Sequence, residues 1–334
     1  MYKDPKNFNK MKGAMFNSFL IESTKCLEPT ETCTEELIDS HSIQDSRILE
    51  VLAEDNHVIH ITFDKSCISK SKQDNPIMPY CKYDSISVHK ASVFKGLCNK
   101  HDTEIFRPID VEVLDMDNKE HVFLLSYRSV MKELSTKIKV AGMTQSNFFS
   151  KVDLGEISGA VPTIEGMYAV QLYASAYEMY EYKKLFDEKY LSKNFASLYI
   201  RYLILDGKPT FATSAVFTTM EMALKEEVDE KICVNIFPYQ EKVFVLFSCL
   251  NENAVYLDKN VDEIFEATNY YQKYLISKLV LRNCENTVFA PCYFNQWPQS
   301  KKILSLNFFM TLGMGIIQIT KMQTCIFFDK TLYK

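Results

Sequence analysis

The sequence predicts an α+β fold on three observations. Apolar residues recur at helical spacing over Lys119–Val140 and again over Ile164–Leu191. Three short apolar, β-branched runs, Thr210–Phe217, Ile232–Phe237 and Val243–Leu250, read as strands of an antiparallel sheet. All six histidines (His41, His57, His60, His89, His101 and His121) fall in roughly the first third of the chain, beside Cys26, Cys33, Cys67, Cys81 and Cys98. That clustering marks a separate N-terminal module ahead of a larger α+β domain.

The length of 334 residues suits two domains, since single cores stop growing near roughly 250–300 residues. The expected division is 1–142 and 160–334, joined by the glycine- and serine-bearing stretch Met143–Pro162. At 47% hydrophobic and 24% charged residues the composition is that of a globular protein. The formal charge of −5 gives no overall electrostatic pull on nucleic acid, so such a ligand would need a local basic patch. Ten cysteines are too sparse for a disulfide scaffold. Met1–Lys12 is polar and basic with no apolar core following, so no secretory leader is expected. The most apolar stretch, Ile303–Ile319, is interrupted by Asn307, Thr311, Gly313, Gly315 and Gln318, and reads as buried strands or a loop. A cytoplasmic protein with reduced thiols and no membrane contact is the expectation, and there metal binding outranks disulfides.

Taken in order, residues 1–25 are polar apart from Phe16, Phe19, Leu20 and Ile21. Glu35–Leu52 is expected to be partly helical, with Ile43, Ile48, Leu49 and Leu52 on one face and Ser46 as a cap. His57–Phe63 alternates and is rich in β-branched residues, which predicts a strand. Lys65–Asp84, broken by Pro76 and Pro79, reads as an inserted loop or loose hairpin. Asp102–Phe106 begins a short helix with Asp102 or Thr103 as its cap. Val122, Leu125, Val130, Met131, Leu134 and Ile138 form the stripe of the helix 119–140, with lysines opposite. Phe195–Leu205 fits a strand or a helix extension. Tyr239–Lys242 supplies a hairpin turn, Val261–Asn283 a further helix, and Cys325–Asp329 a terminal strand.

The chemistry concentrates between Cys26 and Asp102. Cys98-x2-His101, with Gly96 just upstream, is a tight knuckle of the size a tetrahedral zinc ion takes from one turn. Cys26-x6-Cys33 is wider, and Pro29 with its polar neighbours favours a turn that brings the pair together. Cys26, Cys33, Cys98 and His101 are therefore the candidate structural zinc ligands, with Cys67 and Cys81 as rivals. His57 and His60 stand three apart on a strand, which points them to opposite faces. Tyr127, Arg128, Lys132, Lys137 and Lys139 could make a basic helix face, though such a face is more often simply solvated. Trp297 and the tyrosines from Tyr168 to Tyr182 read as core and interface.

With two knuckles in place, the residues resemble the HNH (ββα-metal) endonuclease superfamily. Ser40-His41-Ser42-Ile43 stands where that family carries its general-base histidine, and Leu97-Cys98-x2-His101-Asp102 resembles its second knuckle running into a helix. A longer pattern, from Cys26 through Ser-His-Ser-Ile-Gln to Gly-Leu-Cys-Asn-Lys-His-Asp and Phe123-Leu-Leu-Ser-Tyr-Arg128, is similar to a group of uncharacterised bacterial proteins over roughly residues 24–140. The resemblance implies His41 and Asp102 as catalytic residues, a structural Zn²⁺, a catalytic Mg²⁺ or Mn²⁺, and DNA or RNA as substrate. Standalone nucleases of this kind occur in bacterial defence against phage. The usual motif asparagine is absent, with Ser92 or Val93 in its neighbourhood, and Glu104 and His89 are the candidates for a second ligand. The competing expectation is a non-enzymatic protein, stapled by zinc, whose C-terminal domain binds a protein partner or a second copy.

Overall fold

The computed structural model describes residues 5–70, 80–223, 226–239, 241–312 and 327–328. The chain opens with α1 (Pro5–Ser18), β1 (Leu37–His41), a π-helical turn at Asp45–Leu49, α2 (Glu50–Leu52), β2 (His57–Phe63), α3 (Ser66–Lys70), β3 (Cys81–Ser87) and β4 (Val93–Cys98). It continues through α4 (Asn99–Val111), α5 (Lys119–Asp153), α6 (Ile164–Leu191), β5 (Leu198–Leu205), β6 (Phe211–Ala223), β7 (Glu226–Tyr239) and β8 (Lys242–Leu250). The last elements are α7 (Ala254–Glu266), α8 (Asn269–Asn283), β9 (Thr287–Phe289), α9 (Pro291–Phe294) and α10 (Gln299–Leu312). This is the mixed helix and antiparallel sheet that the sequence predicts.

Among the described residues, β1 and β4 form a two-stranded ladder, and the other strands form one seven-stranded sheet ordered β3-β2-β9-β6-β7-β8-β5. Every pairing in both is antiparallel. The middle of the large sheet is covered on both faces. On one side α5 approaches closely through small polar residues: the hydroxyls of Ser126 and Ser248 meet at 2.6 Å, and those of Ser129 and Ser214 at 2.8 Å. On the other, the Phe247 ring packs on Phe265 of α7 at 6.3 Å. Successive residues of a strand face opposite ways, which is why Phe247 and Ser248 meet different helices.

Several expectations are corrected. Residues 37–41 are a strand rather than part of a helix, because pairing with β4 overrides a weak local preference. Ser46 accordingly lies inside the π-helical turn and not at a helix start. Residues 5–18 form a helix whose Phe8 and Met11 are buried, a signal too sparse to show in a lysine-rich stretch. The short helix expected at 102–106 begins at Asn99 with Cys98 as N-cap, and it continues past Pro108 to Val111. The helix expected to end at 140 runs on to Asp153, so the connection expected at Met143–Pro162 is helical over its first half. The large sheet draws strands from both sides of that connection, because β2 pairs with β9 through Ile59 and Val288 and their neighbours.

The single helix expected over 261–283 is two. The chain extends at Ala267 and Thr268, and Gln272 donates to the Ile264 carbonyl at 2.9 Å, satisfying the end of α7. Of Ile303–Ile319, expected as buried strands or a loop, Ile303–Leu312 belongs to α10 and the remainder lies outside the described residues. The terminal strand expected at Cys325–Asp329 lies outside the described residues except for Phe327 and Phe328, both buried. Trp297 is core as expected, stacked on Phe327 at 5.7 Å. Of the tyrosines on α6, Tyr182 is buried while Tyr168, Tyr173 and Tyr177 are about half exposed, beside exposed Ile164, Met167 and Val170. No helix among the described residues is long and apolar enough to cross a membrane.

Candidate metal centre

Two backbone turns present four soft ligands to one point. The first runs from Cys26 to Cys33 and is wound around a carboxylate. Glu28 is 3% exposed. It accepts from the amide N–H groups of Thr30 at 2.7 Å, Thr32 at 2.5 Å and Cys33 at 3.1 Å. Burial opposes its charge, but these bonds and the Thr30 hydroxyl win and hold its pKa at about 2. The second turn is the junction of β4 with α4, where Cys98 caps the helix. The turns are laced together by the Leu27 amide on the Gly96 carbonyl at 2.7 Å and the Cys98 amide on the Cys26 sulfur at 3.4 Å. Gly96 permits this approach, since a Cβ there would stand 2.5 Å from the Phe94 ring.

The ligand atoms of Cys26, Cys33, Cys98 and His101 all lie within 4.8 Å of one another. Cys33 Sγ is 3.7 Å from Cys98 Sγ, and His101 Nδ1 is 3.3 Å from Cys98 Sγ and 3.6 Å from Cys26 Sγ. A tetrahedron with ordinary zinc–sulfur and zinc–nitrogen bonds has edges of about 3.8 Å between sulfurs and about 3.6 Å between sulfur and nitrogen. Three of the six edges are near those dimensions and the others are no longer than 4.8 Å, so the cluster could hold a metal ion such as zinc. Its electrostatics agree. Burial pushes Cys26 up to about 12 without a cation. Cys98 is also desolvated, but the His101 and Lys100 amides of the first turn of α4, with the neighbouring thiols, bring its pKa down.

The other expected residues fare differently. Cys67 lies in α3 and Cys81 opens β3, and neither joins the cluster. His41 ends β1, and its Nε2 lies 3.3 Å from the Val88 carbonyl, to which a proton on that nitrogen donates. Asp102 stands in the first turn of α4 as a helical residue rather than a cap. Its pKa is raised by burial, against the opposing influence of Arg128, of Ser40 alongside, and of His41 within electrostatic reach. Ser40 Oγ and Asp102 Oδ1 are both buried and have no partner beyond each other among the described residues: the Ser40 hydroxyl leans on the Asp102 carboxyl and lowers its pKa. Glu104 is exposed and His89 lies in a 3₁₀ turn. Neither makes a second group of three ligands among the described residues. His57 and His60 do not converge: His57 is exposed and bonds the Asp55 carbonyl, while His60 is desolvated, which lowers its pKa.

Residues 127–139 make neither a basic binding face nor the plain solvated face expected of them. Tyr127 is buried against Asp187, and Arg128 forks onto Asp110. Lys137 and Lys139 pair with Glu133 and Glu22, and Lys132 is buried. The helix turns that side inward because α6 and the sheet both pack on it. Two site residues were overlooked in the sequence. Glu28 follows two residues behind Cys26, where a carboxylate can gather the amides of a knuckle, and Ser40 immediately precedes His41. No family model, curated protein or solved structure matches this chain.

Proposed function

We propose that Cys26, Cys33, Cys98 and His101 bind one structural Zn²⁺, and that the β1–β4–α4 unit so braced is an HNH-like centre for metal-assisted hydrolysis of a phosphodiester in DNA or RNA. What supports the catalytic half is the buried pair Ser40 Oγ and Asp102 Oδ1, which have no partner beyond each other among the described residues and lie within electrostatic reach of His41. A buried carboxylate served by a single hydroxyl keeps acceptor capacity, and two hard oxygens suit a divalent cation such as Mg²⁺ or Mn²⁺. Such an ion, when bound, supplies neutralisation of charge at the scissile phosphate and leaving oxygen. His41 serves as general base. Its Nε2 proton goes to the Val88 carbonyl, which fixes the ring and leaves Nδ1 to take the proton of the attacking water. Arg128 is neutralised by Asp110 and acts by holding the back of the site, stacked on Phe106 at 4.1 Å.

The test is cleavage of supercoiled plasmid and of RNA with Mg²⁺ or Mn²⁺, comparing the wild type with His41→Ala and Asp102→Asn at equal zinc content. Metal-dependent cleavage falling by about 10²-fold or more in both variants supports the proposal. A folded, zinc-replete wild type that cleaves neither substrate removes its catalytic half. A second reading then stands, a non-enzymatic zinc-stapled interaction protein. It is favoured by the hydroxyl of Ser40, where a firmly held cation would want a second carboxylate, and by the absence of a free basic face on α5 among the described residues.

A further inference from the structure

Residues of α5 and α8 and of the paired strands β2 and β9 border two open recesses of about 220 and 230 Å³, both lined by Lys132 and Glu285. Lys132 is only 9% exposed. Among the described residues its ammonium makes neither an ion pair nor a hydrogen bond, and Glu133, which feels its charge, is paired with Lys137 at 3.9 Å. Its Nζ is not among the buried atoms left without a partner, so it reaches solvent through the recesses, and a charge held there with no contacting protein partner is open to a ligand anion. Here the charge borders open, mostly polar space. Arg282 lies on the wall of one recess, while Asn286 and Ser92 lie on the wall of the other.

We infer that this double recess is a binding site for a small phosphomonoester of nucleotide size, with Lys132 as the buried counter-ion of its phosphate. The combined space falls in the range of small-ligand sites, roughly 300–1,000 Å³, and is several times what a bare phosphate needs. A compact ammonium suits a dianionic phosphate as a point charge, and Arg282 adds a second donor from the wall. Glu285 and Asn286 then serve the rest of the ligand, accepting from sugar hydroxyls or an amino group. This site is separate from His41 and Asp102 and does not depend on the nuclease proposal.

The experiment uses the full zinc-loaded chain and follows unfolding temperature and calorimetric binding with AMP, inorganic phosphate and, as the uncharged control, adenosine. AMP and phosphate are expected to raise the unfolding temperature in a concentration-dependent way, AMP the more strongly, and adenosine to leave it unchanged. Lys132→Met removes the unpaired charge while keeping the stem, so it is expected to leave the unfolding temperature of the free protein no lower and weaken AMP at least tenfold. Arg282→Gln, on an exposed side chain, is expected to fold normally and weaken AMP by a smaller factor. His41→Ala is expected to bind AMP as the wild type does, which separates a failure here from a failure of the catalytic centre. The inference is overturned by a wild type indifferent to AMP and phosphate at roughly 10 mM, an affinity too weak for a built site. Unchanged AMP binding in Lys132→Met overturns it equally. So does a Lys132→Met chain that unfolds or melts lower, because the ammonium would then be serving the fold.

Discussion

Glu28 is the residue whose removal tests how the metal centre is built. It binds no metal in this arrangement, yet its carboxylate gathers the amides of Thr30, Thr32 and Cys33 between the two cysteines of the first turn. Replacement by alanine leaves three N–H groups without their acceptor. Hydrogen bonds to a charged group contribute about 1.5–3 kcal/mol each. The turn lies at the surface, where water can replace part of the loss, so a total near 2–3 kcal/mol is more realistic than the sum. Because those bonds set the position of Cys33, the cost should fall on metal binding, weakening zinc by about 30–150-fold. Glu28→Gln keeps an acceptor oxygen and should lose less. Zinc affinity is read by competition with a chromogenic chelator, with Cys33→Ser as the reference for loss of a true ligand. If Glu28→Ala holds zinc as tightly as the wild type while Cys33→Ser does not, the carboxylate is a bystander and the account of the turn is wrong.

Two further substitutions probe the packing around the site. Gly96→Ala places a methyl group 2.5 Å from the Phe94 ring and 3.4 Å from Leu27. It should therefore destabilise the protein by about 1–3 kcal/mol, seen as a lower denaturation midpoint at unchanged m-value. Lys183 and Asp187 form a buried pair at 2.8 Å, with Tyr127 donating to the carboxylate. Lys183→Met should cost about 3–5 kcal/mol by stranding the acid, and most of that should return in Lys183→Met/Asp187→Leu. Burial already raises the Asp187 pKa, against the pull of Lys183 and Tyr127. In the single variant the raised folded-state value favours the protonated acid, so the deficit should shrink as pH falls from 7 towards 5 and grow as it rises.

The Cys/His cluster was legible because its signal is local. Cys98 and His101 occupy one helical turn, and Cys26 and Cys33 bracket one loop, so spacing alone points each pair at a common centre. Strand β2 and helix α6 were legible for a similar reason, since β2 is rich in β-branched residues and α6 is a long run free of proline that is dense in tyrosine and charge. What stayed hidden depends on distant partners. Leu37–His41 became a strand because Val93–Cys98 pairs with it across an insertion of more than fifty residues. The three residues of β9 carry no periodicity at all, yet they bridge β2 and β6. The lysines of α5 looked like a solvated face because sequence does not reveal that a helix is covered on both sides. Lys132, now in contact with two recesses, is the residue that error concealed.

The position of the cluster shows what a metal ion bound there, as proposed, would stabilise. A two-stranded ladder is marginal on its own, and β1 contributes only five residues to this one. Its partner β4 is anchored independently, by the Ser135 hydroxyl of α5 on the Lys95 carbonyl at 2.7 Å. The loose side is therefore the Cys26–His41 segment. Asn286 grips its far end, donating to Ser42 at 2.8 Å and to the Ser214 carbonyl at 3.0 Å. Among the described residues its near end is held by the Leu27–Gly96 bond, by the Glu31–Tyr180 hydrogen bond to α6 and by the contacts within the Cys26/Cys33/Cys98/His101 cluster. Closing that end means bringing together residues 72 positions apart, Cys26 and Cys98. The entropic cost of such a closure grows only slowly with loop length, so one ion of ordinary affinity can meet it. Ser40 and His41 are then held from both ends, which keeps the Ser40 hydroxyl beside the Asp102 carboxyl. Stripping the ion should for that reason release the β1 segment first and leave the large sheet standing, an order of unfolding that amide exchange on Leu37–His41 against Val243–Leu250 can resolve.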